Sequence, residues 1–285
     1  MSQNRRSFLA TLGGATLGLA YGSRSLEAMV GAIDRRAKLS RIGIQLYTLR
    51  KVASADLAGT LGQLGKIGYR EVEFAGYYNH SPSDVRAMLD QSGLTAPSAH
   101  IAIEQLEGDA AAKTFADAKV VGHEWVTVPS LPRLTTADDW KRMAQRFNTI
   151  ASQAKSAGFR FAYHNHNAEF RRVGDTIPLE ILLAETDPPL VSFEMDIYWV
   201  VNGGGNPVDL LTRHPGRFKM LHVKDSMGPP DHKMADVGAG TIDFKPIFAR
   251  AKGGGIEHYF VEHDQPVDPM ASAAASFAYL SHLEY

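Results

Sequence analysis

Eight short apolar runs, each separated from the next by a longer segment, constrain the fold of this chain more than any other feature. They fall at residues 42–47, 71–74, 96–101, 125–128, 159–164, 191–197, 218–223 and 258–262. Between most of them the spacing is helical. Leu57, Leu61 and Leu64 mark one such stretch (56–66), and Val85, Met88 and Leu89 a second (83–91). Trp140, Met143, Phe147, Ile150 and Ala154 mark a third (136–157). Strand–helix alternation repeated in this way predicts a parallel sheet with helices outside it. Gly68, Gly93 and Gly158 each follow a helical stretch and precede an apolar residue, where glycine can take the left-handed conformation that ends a helix. Eight units favour closure, so the expected fold is α/β, a single-domain (β/α)₈ TIM barrel over residues 41–285. Such barrels take about 250 residues, which accounts for the whole of the 285-residue chain beyond its first 40.

Residues 1–40 are expected to be an export signal and linker. Arg5-Arg6-Ser7-Phe8-Leu9 precedes a short Gly-rich apolar stretch to Ala20, the pattern of a twin-arginine signal and too short for a membrane-spanning helix. That implies a periplasmic or exported protein with no stable membrane insertion. A formal net charge of −1 provides no basic field for nucleic acid. The absence of cysteine excludes disulfides, zinc–thiolate sites and Cys nucleophiles. A homo-oligomer is left open. No Gly-x-Gly-x-x-Gly follows the first strand, which weakens a dinucleotide-binding reading. Gly203, Gly204 and Gly205 read as a flexible loop after the sixth strand. Residues 225–243 read as a long loop placed to lie over a site.

Barrel active sites sit at the C-terminal strand ends, and strand side chains alternate between two faces. Polar residues near those ends come in pairs two apart. The pairs are Glu71 and Glu73, Ser98 and His100, His164 and His166, Glu194 and Asp196, His222 and Lys224, and Glu262 and Asp264. So many carboxylates and imidazoles aimed at one space are costly unless they are paired or bound to a cation. The donor set suits one divalent metal, Mn²⁺, Zn²⁺, Co²⁺ or Fe²⁺, with Mg²⁺ a weaker match. Asn165 and Asp225 have the opposite parity and read as structural or supporting groups, and Glu169, in the loop after the fifth strand, as a solvated charge in preference to a substrate contact.

The runs Tyr163-His164-Asn165-His166, Glu194-Met195-Asp196-Ile197-Tyr198-Trp199, His222-Val223-Lys224-Asp225 and Val261-Glu262-His263 resemble the xylose-isomerase-like barrel superfamily, whose members are often labelled sugar phosphate isomerase/epimerase. Gly43-Ile44-Gln45-Leu46-Tyr47-Thr48 and residues 237–244 fit the same pattern, so the resemblance covers about residues 41–265. Its ketose epimerases hold one metal through a Glu, an Asp, a His and a Glu from strands five to eight. The resemblance implies Asp196, His222 and Glu262 as three of these ligands. His164 (or His166, with a small shift) stands where the first Glu would be. The epimerases use both glutamates to move a proton on opposite faces of the sugar, so this departure weakens transfer of that two-base mechanism.

The resemblance implies metal-assisted proton transfer next to the carbonyl of a sugar or keto-sugar, with isomerisation or epimerisation as the outcome. Glu262 is the first choice of base, followed by His166 and Glu73. Lys224 would stabilise oxyanion charge or donate a proton, and His100, Tyr198 and Trp199 would contact substrate. Elimination or hydration at the same site, a lyase or dehydratase reaction, is the main alternative. DNA repair and non-catalytic sugar binding are weaker readings.

Overall fold

A computed structural model describes residues 37–285. The expected export segment, with Arg5 and Arg6, lies outside the described residues. All eight expected strands form: β1 (Gly43–Gln45), β2 (Glu71–Phe74), β3 (Thr95–His100), β4 (Trp125–Val128), β5 (Arg160–His164), β6 (Val191–Asp196), β7 (Phe218–Val223) and β8 (His258–Val261). They close into a barrel in chain order, with β1 paired to β8 and each neighbour parallel. Among the described residues no helix is long and apolar enough to cross a membrane.

The helices form where local chemistry starts and stops them. The longest, Ala137–Ser156, opens on a capping box in which Thr136 and Asp139 satisfy each other's backbone N–H groups. Trp140, Met143, Phe147, Ile150 and Ala154 form its buried stripe. Ser81 caps Pro82–Ser92, which ends at Gly93 in the left-handed conformation.

Inside the barrel the lower layer is apolar. Trp125, Ala162, Met220 and Phe260 pack together and plug the floor. Gly43 makes room for this plug, because a Cβ there would lie 2.5 Å from the Phe260 ring and 3.2 Å from Glu71 Cβ. Above the plug the inward positions turn polar. Register sets Gln45 beside Glu73, Glu73 beside Ser98, His164 beside Glu194, and Asp196 beside His222.

Two loop expectations change. Residues 197–202 are helical, with the Asp196 side chain capping the first turn, and Asn206 caps a further helix, Pro207–Arg213. Gly203 and Gly205 are packed against Phe170: a Cβ on Gly203 would lie 2.6 Å from Phe170 Cβ, and one on Gly205 2.8 Å from the ring. This stretch is a close approach of backbone to ring, not a flexible loop. Residues 225–243 are likewise organised, through a short antiparallel ribbon of Asp225–Ser226 and Met234–Ala235.

Substituting Gly43 with Ala is expected to overpack the floor and remove about 1–3 kcal/mol of stability in urea unfolding. Adding Phe260→Leu, which withdraws the opposing ring, restores part of the loss.

His123 gives a second test. Its Nδ1–H donates to the Ala96 carbonyl at 2.6 Å, and its Nε2 accepts from the Tyr77 hydroxyl at 3.1 Å. Burial lowers its pKa from 6.5 to about 4. The unfolded chain therefore binds this proton first, and stability falls as pH drops from about 6.5 towards 4. Between pH 7.5 and 5, wild type should lose about 2 kcal/mol more than His123→Gln in urea unfolding.

Candidate active site

At the C-terminal mouth the strand ends deliver their polar side chains into one buried network. The central group is His222 at the end of β7. Its Nδ1 lies 2.7 Å from Glu262 Oε2, and its Nε2 lies 2.7 Å from Glu73 Oε2 and 3.2 Å from Glu194 Oε2. Burial pushes this imidazole towards neutrality, but Glu194, Glu262 and Glu73 outweigh it and hold the pKa well above the ordinary histidine range. In the protein alone both ring nitrogens therefore carry protons and donate to carboxylates.

Lys224 is the second cation. Its Nζ lies 2.8 Å from Glu262, 2.8 Å from Asp264 and 3.0 Å from Asp196. Burial works against the ammonium, yet Asp196, Glu262 and Asp264 keep it charged. Glu262 is held well below the ordinary carboxylate range. Burial raises its pKa, and Lys224 and His222 together more than reverse that. For Asp196 burial wins and the pKa is raised.

His164 is held differently. Its Nδ1 faces the Pro129 carbonyl at 3.1 Å, which can only accept, so the proton belongs there. Burial and the nearby cations His222, His100 and Lys224 hold its pKa well below the ordinary range. Nε2 is then a bare lone pair facing Asp196 Oδ2 at 3.3 Å. Two acceptors facing each other need a cation between or beside them, and in the protein alone Lys224 Nζ, 3.0 Å from the same oxygen, serves. One ligand atom each from His164, Asp196, His222 and Glu262 lies within 4.8 Å of all the others, and all four residues are buried. These residues fit a divalent ion by donor type and by the orientation of His164. The Nε2 side of His222 is already anchored by Glu73 and Glu194, the carboxylate–imidazole support common behind metal ligands.

Glu73, His100, Glu194 and His222 form a second group, sharing His222 with the first. Glu73 is saturated: Gln45 Nε2 donates to it at 2.7 Å and the Ser98 hydroxyl at 2.6 Å. It is fully buried and does not line the cavity above, so direct proton abstraction by Glu73 has no path. Its position suits it to orienting His222. His100 Nε2 lies 2.9 Å from Glu194, and its ring reaches the cavity wall. Glu71 faces inward at the opposite end of the barrel, where it meets Arg41 and His258.

The cavity over the site holds about 410 Å³. Its wall includes Tyr47, His100, His164, His166, Lys224, Glu262 and Asp264. His166 packs against His164 and Trp199, and burial lowers its pKa to about 3. Tyr198 and Trp199 line a neighbouring cavity instead, with Asp264 shared between the two. The Tyr198 hydroxyl is taken up by the His232 carbonyl at 2.6 Å.

Asn165 and Asp225 support the site from outside the barrel interior. Asn165 Oδ1 accepts from the Asp196 backbone N–H at 3.2 Å. The Asp225 carboxylate accepts from the backbone N–H groups of Ser226, Gly238, Gly240 and Ile242, so one side chain folds the 225–243 loop back on itself. A Cβ on Gly240 would sit 2.2 Å from that carboxylate. Glu169 overturns its expectation. It is buried, accepting from the Tyr163 hydroxyl and, at 2.9 Å, from the His166 backbone N–H. Gln45 was missed as a site residue, although its parity at the end of the first strand could have found it.

The sequence matches the xylose isomerase-like TIM barrel family over residues 61–281. The chain belongs to this family. A solved sugar phosphate isomerase/epimerase from Parabacteroides distasonis ATCC 8503 is 31% identical, with a TM-score of 0.72, covering 86% of this chain and 95% of its own. An inosose dehydratase from Lacticaseibacillus casei is 29% identical over 142 residues, 44% of this chain and 47% of that protein, so the chain spans about half the length of this curated relative. An inosose dehydratase from Geobacillus kaustophilus is 25% identical over 232 residues, 67% of this chain and 74% of that protein.

Replacing Lys224 with Met leaves three carboxylates without their shared cation. A stability loss of about 3–5 kcal/mol is expected in urea unfolding of the metal-free protein, against less than about 0.5 kcal/mol for an exposed lysine such as Lys233.

Proposed function

We propose that this chain is a metal-dependent enzyme that removes a proton from the carbon next to the carbonyl of a keto-sugar, with elimination of water as the outcome. The observation that carries the reading is the one-sided placement of carboxylates on the cavity wall. Glu262 and Asp264 stand together after β8, while β3 and β5 and their loops offer only the imidazoles of His100, His164 and His166. Epimerisation requires removal and return of a proton on opposite faces. Elimination requires a base and a nearby acid, which is what Glu262 and Lys224 at 2.8 Å provide. The similarity to inosose dehydratases supports the same reaction class.

His164, Asp196, His222 and Glu262 would hold the metal. A bound divalent ion would polarise the substrate carbonyl and stabilise the charge that develops on its oxygen. Glu262 is in the ionised form needed to accept the proton. Lys224, held charged by its three carboxylates, is in the form needed to protonate the leaving hydroxyl, which departs as water. His166 lines the cavity, with Trp199 packed behind it. His100 is placed to take a substrate hydroxyl, and Glu73 keeps His222 aimed. Export to the periplasm is part of the proposal on the strength of Arg5-Arg6 and the stretch that follows.

A second reading, epimerisation with His166 as the opposing base, is favoured by the likeness to the Parabacteroides protein. One experiment separates the two. The manganese- or zinc-loaded enzyme is incubated with an inosose and with 3-keto-glucose in deuterated water and followed by NMR. Loss of water to an unsaturated ketone is expected, and Glu262→Gln should lower kcat by about 10²–10⁴. Deuterium in an otherwise unchanged skeleton would establish epimerisation instead. Full activity in Glu262→Gln, or after chelation, would sink both readings.

A further inference from the structure

A second cavity, of about 460 Å³, opens between the loops that follow β4 and β5. The same two loops build both cavities. Pro129 and Ser130 line the first, and residues 131–135 line the second. His166 faces the first, and Glu169 the second. The second cavity is strongly cationic, with Arg133, Arg171 and Arg172 on its wall. Arg172 donates to the Asp175 carbonyl. The guanidinium groups of Arg133 and Arg171 have no hydrogen-bond or ion-pair partner among the described residues.

Glu169, the one carboxylate on this wall among the described residues, does not neutralise them. Its oxygens are taken by the Tyr163 hydroxyl and the His166 backbone, and burial raises its pKa. Trp140 also lines the cavity and is buried. Leu131, Leu134 and Val173 complete the wall with apolar surface.

We infer that this cavity is a binding site for a small organic anion, a carboxylate or phosphate ester carried on an apolar ring. Two free guanidinium forks match the planar or tetrahedral oxygens of such a group. The apolar wall, Trp140 included, takes the ring. The site stands apart from the reaction proposed above, though Glu169 joins the two cavities through its bond to the His166 N–H.

The test is titration calorimetry of the full chain with phenyl phosphate, using phenol and inorganic phosphate as its separate halves. Phenyl phosphate should bind at sub-millimolar Kd, and each half at least about tenfold more weakly. The double variant Arg133→Gln/Arg171→Gln, two exposed positions without partners to lose, should weaken phenyl phosphate by about tenfold or more. Glu262→Gln should leave it unchanged. Absence of binding at millimolar phenyl phosphate overturns the inference. So does binding that survives in the arginine variant, or that is lost in Glu262→Gln, since either places the anion elsewhere.

Discussion

Buried negative charge at the barrel mouth sets the terms for the rest of this structure. Glu73, Glu194, Asp196 and Glu262 are all buried, and uncompensated each would carry a penalty of several kcal/mol. Compensation comes from two places on one strand, the His222 imidazolium and the Lys224 ammonium two residues on. The barrel makes this arrangement possible. Parallel strands bring inward positions to a common height, and the plug of Trp125, Ala162, Met220 and Phe260 shuts water out from below. Weaken that floor and the polar layer loses the low-dielectric surroundings that make its pairings strong.

The cluster is a frame that does not by itself dictate one reaction. His222, Asp196 and Glu262 would offer ligands and charge to a bound cation whatever the substrate. On β5 this chain presents an imidazole where the sequence resemblance implies a carboxylate. With its proton committed to the Pro129 carbonyl, His164 offers a single lone pair, and burial holds its pKa well below the ordinary range, so it is a weak base.

Much of this was legible in the amino-acid sequence, because two periodicities carry it. Helical spacing and repeated glycine exits revealed the eight units, and period-two pairing revealed which side chains face inward. Parity reports facing but not height. Glu71 and Glu73 share a face, yet one pairs with Arg41 and His258 at the floor while the other supports His222. Nor does parity say where a loop side chain ends. Glu169 read as a solvated charge because nothing local announces the Tyr163 hydroxyl that buries it. Tyr198 and Trp199 read as one stacking surface for the central cavity, but the helical turn begun at Asp196 carries them to the next cavity. The three glycines near residue 204 read as flexibility, because Phe170, which crowds Gly203 and Gly205, arrives from another loop.

Asp225 has a longer reach than its place beside Lys224 suggests. By gathering four backbone N–H groups from residues 226–242 it staples both ends of a long excursion to the end of β7. Residues 227–233, between the ribbon strands, are held apart from this staple and meet the rest of the barrel mouth through the His232 carbonyl and the Tyr198 hydroxyl. Such a tip can be lengthened, shortened or rewritten while the cation-bearing strand end stays in register. For a barrel of this kind, that separates two tolerances to change: the stapled stem resists it, because four N–H groups depend on one carboxylate, and the tip absorbs it.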